Sequence, residues 1–256
     1  MSRQKLGQHF LHATGVLERI ATAACPEGCP LVVEIGPGRG ALTEYLLRRG
    51  PKVKAIELDP ELALELRDRW GATKNFELVQ GNALDADWSG WGPGVLVGNL
   101  PYYVATAIIS KYLRNPGQLT AGVFLIQKEV ADRITAVPGT RDYGYLSVEC
   151  QYLAQVATLF RVPPGAFRPP PKVDSAVIRL TPRGVPPEDT PGFLNFVSAC
   201  FRQKRKTLRN NLVALYPRER VDALPEAGAR AEQLAIAELL RLYRQLSASG
   251  QLPAAE

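Results

Sequence analysis

The sequence predicts an α/β fold: a mostly parallel sheet with helices on both faces, followed by a small all-helical C-terminal domain. Three observations carry this. Leu31-Val32-Val33-Glu34-Ile35 is a short apolar run that enters the turn Gly36-Pro37-Gly38-Arg39-Gly40 and then a helical pattern. Strand-like runs keep alternating with helical patterns as far as residue 180. Composition then shifts at residues 182–192, which hold four prolines and two glycines, and only helical periodicity follows. The expected division is a domain at 1–181, a linker at 182–192 and a helical domain at 193–256.

The elements follow in order. Arg3-Gln4-Lys5-Leu6-Gly7-Gln8-His9-Phe10-Leu11 is basic and then partly apolar, without a clear period. Phe10 and Leu11 are costly to leave in water, so this segment is expected to dock. Residues 16–24 read as a helix, with Val16, Leu17, Ile20, Ala21 and Ala24 on one face and Thr14 as N-cap. Leu31–Ile35 reads as a buried strand and residues 41–49 as a helix. A second strand at 52–56 ends in Glu57-Leu58-Asp59-Pro60, and a helix spans 61–70. A third strand at 76–79 leads into Gly81-Asn82-Ala83-Leu84, and a fourth at 95–97 into Gly98-Asn99-Leu100-Pro101-Tyr102-Tyr103. Helices at 106–113, 129–136 and 146–152 and strands at 123–126, 156–162 and 175–180 complete the sheet region, with a proline-dense loop at 163–172. Beyond the linker, Phe193, Phe196, Val197, Cys200, Phe201, Leu208, Leu212 and Leu215 fit one helical face. Arg202, Arg205, Lys206 and Arg209 follow helical spacing and form an expected basic stripe beside it. A second helix is expected through 234–240.

A chain of 256 residues suits one large and one small domain, and 46% apolar residues suffice for a sizeable core. The formal charge of +6 permits a polyanionic partner. No apolar run approaches the ~20 residues of a membrane span, and no signal-like segment opens the chain, so a cytoplasmic protein without a membrane partner is expected. Four cysteines in a chain this long do not suggest a disulfide framework. Cys25, Cys29, His9 and His12 could supply four zinc ligands, but Cys-x₃-Cys is a loose spacing and no metal is expected.

Strand, glycine turn and helix make the start of a nucleotide-binding unit. Gly36, Gly38 and Ala41 also satisfy G-x-G-x-x-A, which keeps a nicotinamide oxidoreductase open. Glu57 stands about twenty residues beyond the turn, where an acid can accept ribose hydroxyls of that cofactor or of S-adenosylmethionine. Hydride transfer needs a proton donor near the substrate, yet His9 and His12 both precede the first strand. Asn99 offers an amide acceptor, Pro101 stiffens the turn and Tyr102 offers a stacking plate, a set suited to a nucleobase with an exocyclic amine. Gly36, Glu57, Asn82 and Asn99 all fall at carboxyl ends of successive strands, where open parallel sheets bind ligands.

Glu34-Ile35-Gly36-Pro37-Gly38-Arg39-Gly40 resembles the cofactor turn of class I methyltransferases. Asn99-Leu100-Pro101-Tyr102 resembles the signature of enzymes that methylate exocyclic amines of bases. With Gln8-His9-Phe10-Leu11, residues 167–175 and the basic helix, the chain is similar over nearly its whole length to the ribosomal RNA adenine dimethyltransferase family, nearest its bacterial small-subunit members. The resemblance implies a class I methyltransferase-like, Rossmann-like fold binding S-adenosylmethionine through His9, Leu11, Gly36, Gly38, Glu57, Asn82 and Asn99. It implies catalysis around a target adenine by Asn99, Leu100, Pro101, Tyr102 and Phe167, and RNA contacts by Arg202, Arg205, Lys206 and Arg209. The implied reaction is N6 methylation of two adjacent adenosines near the 3′ end of small-subunit ribosomal RNA, with the small ribosomal subunit as partner, a role in ribosome biogenesis and a monomeric enzyme. Two residues depart from the family: His9 stands where Asn is frequent, and Asn82 where Asp is usual. A large-subunit ribosomal RNA adenine methyltransferase and a mainly non-enzymatic assembly factor are the alternatives.

Overall fold

The computed structural model describes residues 9–88, 90–101, 103–184 and 189–247. Two compact units emerge: Met1–Ala131 with Ala154–Pro182, and Asp132–Leu153 with Arg183–Glu256. The expected catalytic domain at 1–181 therefore loses residues 132–153 to the helical unit.

In the first unit the chain runs β1 (Phe10–Leu11), α1 (Thr14–Ala24), β2 (Leu31–Ile35), α2 (Ala41–Arg48), β3 (Lys52–Glu57), α3 (Pro60–Trp70), β4 (Phe76–Gln80), β5 (Gly94–Asn99), α4 (Ala105–Arg114) and β6 (Leu119–Gln127). Helix α5 (Lys128–Thr135) crosses the boundary between units, and α6 (Tyr145–Leu153) precedes the return through β7 (Ala154–Val162), β8 (Phe167–Arg168) and β9 (Ser175–Pro182). Seven strands form one sheet in the order β4-β3-β2-β5-β6-β9-β7. The first five are parallel, and β9 lies antiparallel between β6 and β7. This is the mostly parallel Rossmann-like sheet expected from the alternation of elements. Val32, Val33, Leu96, Val97, Val123 and Phe124 are completely enclosed, as strands covered on both faces must be.

Strand order reverses at β2, which has β3 on one side and β5 on the other. Crossovers leave in opposite directions there, and a crevice opens beyond the carboxyl ends of β2 and β5. Local chemistry sets where the elements begin. Asp59 caps α3 by accepting from the amides of Glu61 and Leu62, with Pro60 in the first turn where a missing N–H costs nothing. Thr14 is not the cap of α1: it is the first helical residue, and Ala13 holds the cap position without a side-chain bond. The amides of His12 and Ala13 both reach the Ala166 carbonyl, so the incoming strand, not a hydroxyl, positions this helix start.

In the second unit, α6 packs with α7 (Thr190–Cys200), and the rings of Tyr152 and Phe193 stand 4.6 Å apart. Tyr143 meets Phe201 at 6.0 Å. These aromatic contacts are why residues 132–153 belong to this unit. Helices α8 (Leu208–Leu212), α9 (Arg218–Asp222) and α10 (Ile236–Ser247) follow. Phe196 packs on Tyr216 and Tyr243 in the same core.

The expected basic helix does not exist as one element. Helix α7 stops at Cys200, and Arg202, Arg205 and Lys206 lie in an exposed turn, while Arg209 sits on α8. Buried Asn211 explains the break. Its side-chain amide donates to the carbonyls of Cys200, at 2.8 Å, and Gln203, at 3.2 Å. Those carbonyls then need no helical partner, and the chain is free to turn. Arg209 is held by Asp222 through two contacts, at 2.7 and 2.8 Å.

Candidate active site

The turns that follow β2, β3, β4 and β5 converge on one cavity of about 340 Å³. His9, Leu11, Gly36, Gly38, Glu57, Asn82, Asn99, Leu100, Pro101 and Phe167, ten of the residues selected from sequence, all line it. Tyr102 lies outside the described residues. Arg202, Arg205, Lys206 and Arg209 belong to the helical unit.

The glycine turn is built for close approach. Gly38 has φ +59°, and a Cβ there would stand 3.2 Å from the Phe10 ring. The turn is also wired to the next strand. The Gly38 amide donates to Glu57 Oε2 at 3.0 Å, and the Asp59 amide donates to Oε1 at 2.9 Å. Burial holds the Glu57 carboxyl above its ordinary range, and the two amide donors offset only part of that rise. Each carboxylate oxygen retains a further acceptor site, which suits vicinal hydroxyls.

After β4, Asn82 is held at both ends of its amide. Its Oδ1 accepts from the Leu84 amide and its Nδ2 donates to Asp85 Oδ2, each at 3.0 Å. After β5, Asn99 Nδ2 donates to the backbone carbonyl of His9 at 3.2 Å. A carbonyl can only accept, so this contact fixes which end of the amide is which. Asn99 Oδ1 is thereby presented as an acceptor. The Pro101 carbonyl accepts from Val104 and Ala105, both at 3.0 Å, and starts α4. The turn bearing Asn99 is thus pinned to a helix on one side and to the N-terminal segment on the other.

That segment is the part hardest to read locally. Phe10 and Leu11 form β1, which pairs with Arg168 and Phe167 of β8 in a two-stranded antiparallel ribbon. Docking was expected; its partner was not, because two-residue strands carry no period. The His9 ring nitrogen Nδ1 meets the Pro169 carbonyl at 2.7 Å, so the ring anchors the ribbon while its backbone carbonyl orients Asn99. The Arg39 guanidinium stands 5.5 Å from the centre of the Phe10 ring.

Glu34, in β2 and at the head of the glycine-turn segment, is not singled out by the apolar pattern around it. It is 2% exposed, lines the cavity and accepts from Thr43 Oγ1 at 2.6 Å. The signal was available: a lone acid inside an apolar buried strand needs a reason. Burial raises its carboxyl from an ordinary 4.5 to about 7, with the Thr43 hydroxyl opposing and the Glu57 charge adding. A raised pKa means the folded state binds a proton that the unfolded state releases. The associated stability is complete below pH 4.5 and is lost as pH rises to about 7. Glu34→Gln is expected to remove this slope, so the stability advantage of the parent over the variant should fall by roughly 3 kcal/mol across that window. Urea unfolding at pH 4.5, 6 and 8 measures it; parallel pH curves for the two proteins would show that Glu34 does not titrate there. Tyr103, which closes the Asn99 segment, also lines the cavity and is 66% exposed.

The cysteines make no comparable centre. Cys25 is buried, Cys29 is half-buried, and among the described residues no group of three or more His, Cys, Asp or Glu could hold a metal ion. Among the described residues, no helix is long and apolar enough to cross a membrane.

A switch-point crevice with a Cβ-free turn, a buried acid on the neighbouring strand and an amide acceptor after β5 defines a nucleoside-cofactor enzyme of the Rossmann-like class. The chain belongs to the ribosomal RNA adenine dimethylase family, whose model it matches over residues 1–248. It is 44% identical over 254 residues to the ribosomal RNA small subunit methyltransferase A of Pseudomonas fluorescens, covering 96% of this chain and 94% of that one. The protein of the same name from Acidobacterium capsulatum is 43% identical, covering 95% and 91%. Among solved structures, a dimethyladenosine transferase from Plasmodium falciparum superposes with a TM-score of 0.80 at 26% identity, covering 91% and 96% of the two chains. The 23S rRNA methyltransferase ErmE gives 0.70 at 31% identity, covering 93% and 99%. The enzyme is therefore an S-adenosylmethionine-dependent methyltransferase acting on ribosomal RNA, and the oxidoreductase alternative falls away.

Proposed function

We propose that this enzyme methylates the N6 amines of two adjacent adenosines near the 3′ end of small-subunit ribosomal RNA, as a cytoplasmic monomer acting during small-subunit assembly. The observation that carries the reading is the anchored Asn99 amide, whose Oδ1 faces duty as an acceptor on the same cavity as Glu57. The names of the relatives support the small-subunit target.

The donor set fits an adenosyl cofactor. Glu57 would accept the ribose hydroxyls with the acceptor sites that Gly38 and Asp59 leave over. Gly36 and Gly38 allow close approach, and His9 and Leu11 close the wall. Leu58 is 55% exposed on the cavity lining, an apolar surface that a flat purine would cover. Asn82 would meet the cofactor's adenine, offering a neutral carbonyl where the family usually has a carboxylate. When bound, S-adenosylmethionine supplies a methyl group already activated as a sulfonium.

The protein's part is mainly positioning. Asn99 Oδ1 and the Leu100 carbonyl would accept the two N–H groups of the target amine, drawing its lone pair out of conjugation with the ring. Pro101 keeps this turn stiff. Phe167, 3% exposed in β8, would bound one face of the target base, and Tyr102 is proposed as a second stacking partner. The product ammonium is acidic and can release its proton to water, so no strong base is needed. Methyl transfer to separated ribosomal subunits, followed by mapping of the modified base, tests the assignment. Modification confined to large-subunit RNA would favour the activity named for ErmE, and none on either subunit an assembly factor.

The exposed turn carrying Arg202, Arg205 and Lys206 is the proposed phosphate contact, with Arg209 committed to Asp222. Changing Arg205 and Lys206 together to Gln should reduce the slope of log affinity against log salt by roughly one to two units. RNA affinity across a salt series measures this, and an unchanged slope would make the turn a merely solvated surface.

A further inference from the structure

We infer that Lys111 is a positioning residue for the cofactor's adenine: its ammonium locks the loop after β4 so that Asn82 is correctly presented. The inference rests on the adenine placement proposed above. Lys111 stands in α4, the helix that begins at the Asn99 turn, and its Nζ donates to three backbone carbonyls of one loop. They are Ala83 at 3.3 Å, Leu84 at 2.5 Å and Ala86 at 2.6 Å. An ammonium has three protons, and this loop can take all of them. The Trp88 ring centre lies 4.6 Å from the same Nζ, a cation–π contact. Trp88 is itself buried and donates from Nε1 to the Asn115 carbonyl at 3.1 Å, just past the end of α4.

The consequence for Asn82 follows from peptide geometry. In a trans peptide the C=O and the following N–H point in opposite directions. Turning the Ala83 and Leu84 carbonyls toward Lys111 therefore turns the amides of Leu84 and Asp85 away from it. Those two amides both hold Asn82, and the Ala86 amide adds a third contact, to the Asn82 backbone carbonyl at 3.2 Å. Leu84 N donates to Asn82 Oδ1, and Asp85 N donates to the Asn82 backbone carbonyl, both at 3.0 Å. Asp85 Oδ2 then accepts from Asn82 Nδ2. Asn82 lines the cavity and Lys111 does not, so the lysine acts through the loop and not on the ligand.

The test compares two ligands that differ on one purine edge, at the 6-position and in the proton that the 6-oxo form carries on N1. S-adenosylhomocysteine carries the amine, and S-inosylhomocysteine carries an oxo group in its place. Calorimetry on the full chain should show the parent preferring the adenine ligand by about ten-fold, the scale of one good hydrogen bond. Lys111→Met should bind the adenine ligand about five- to ten-fold more weakly while binding the inosine ligand nearly as the parent does. Lys111→Arg should recover much of the preference, because a guanidinium can still donate to several carbonyls. Turnover at saturating cofactor should stay near the parent value, with the loss appearing in KM. If Lys111→Met does not fold, Lys111→Gln, with two donors, gives the same reading with a smaller loss. A variant that weakens both ligands equally, or neither, overturns the positioning role. A parent without any preference for adenine overturns the adenine placement at Asn82, and this inference with it.

Discussion

Asn99→Ala is expected to lower methyl transfer to ribosomal RNA by about 10² or more at saturating cofactor, the loss typical of removing one preorganised polar group aimed at the reacting centre. S-adenosylmethionine affinity should stay within about three-fold, because the missing acceptor matters chiefly as the amine reacts. The stability cost should be small. Alanine removes one bond, from Nδ2 to the His9 carbonyl at 3.2 Å, a contact worth roughly 1 kcal/mol. Asn99→Asp makes a sharper companion. It keeps an acceptor but sets a carboxylate oxygen against the His9 carbonyl, so the side chain should swing away and activity should fall as far. Single-turnover transfer of a labelled methyl group measures both variants. Turnover of Asn99→Ala within about three-fold of the parent would remove Asn99 from the chemistry.

Glu57→Ala should strike the other half of the reaction. If Glu57 accepts both ribose hydroxyls as proposed, two hydrogen bonds to a charged carboxylate, each worth roughly 1.5–3 kcal/mol, would be lost, so cofactor affinity should fall about 10²-fold or further. This substitution also leaves the Gly38 and Asp59 amides without their acceptor, so the melting temperature should drop as well. Glu57→Gln separates the two effects incompletely, since its NH₂ must face one of those amides. Saturating kcat of Glu57→Ala should remain within about ten-fold if enough cofactor can be supplied, which distinguishes a binding residue from one acting on the amine. Calorimetry with S-adenosylmethionine decides it, and an unchanged dissociation constant would refute the ribose contact.

Much of this was legible along the chain because parallel α/β units are local. A buried strand, the turn at its carboxyl end and the helix that returns are contiguous, and apolar runs mark them. Reading β2, β3, β4 and β5 therefore also placed Gly36, Glu57, Asn82 and Asn99 at one edge of the sheet. The likeness of several separate segments to one family added the cofactor and the chemistry, which no periodicity can name.

The tertiary structure decided what depends on partners remote in sequence. His9 could be seen as polar, but only the β1–β8 ribbon puts its carbonyl against Asn99 and its ring against Pro169. Arg202, Arg205, Lys206 and Arg209 have helical spacing, yet Asn211 takes up the carbonyls of Cys200 and Gln203 and ends the helix before the stripe can form. Residues 132–153 looked continuous with the strands around them and joined the helical unit through Tyr143 and Tyr152. Lys111 looked like any lysine on an amphipathic helix until three carbonyls of the β4 loop met its ammonium. The physical reason is common to all four. Hydrophobic period and turn chemistry report a residue's own neighbourhood, whereas the orientation of a polar group is set by whichever distant donor or acceptor satisfies it once it is buried.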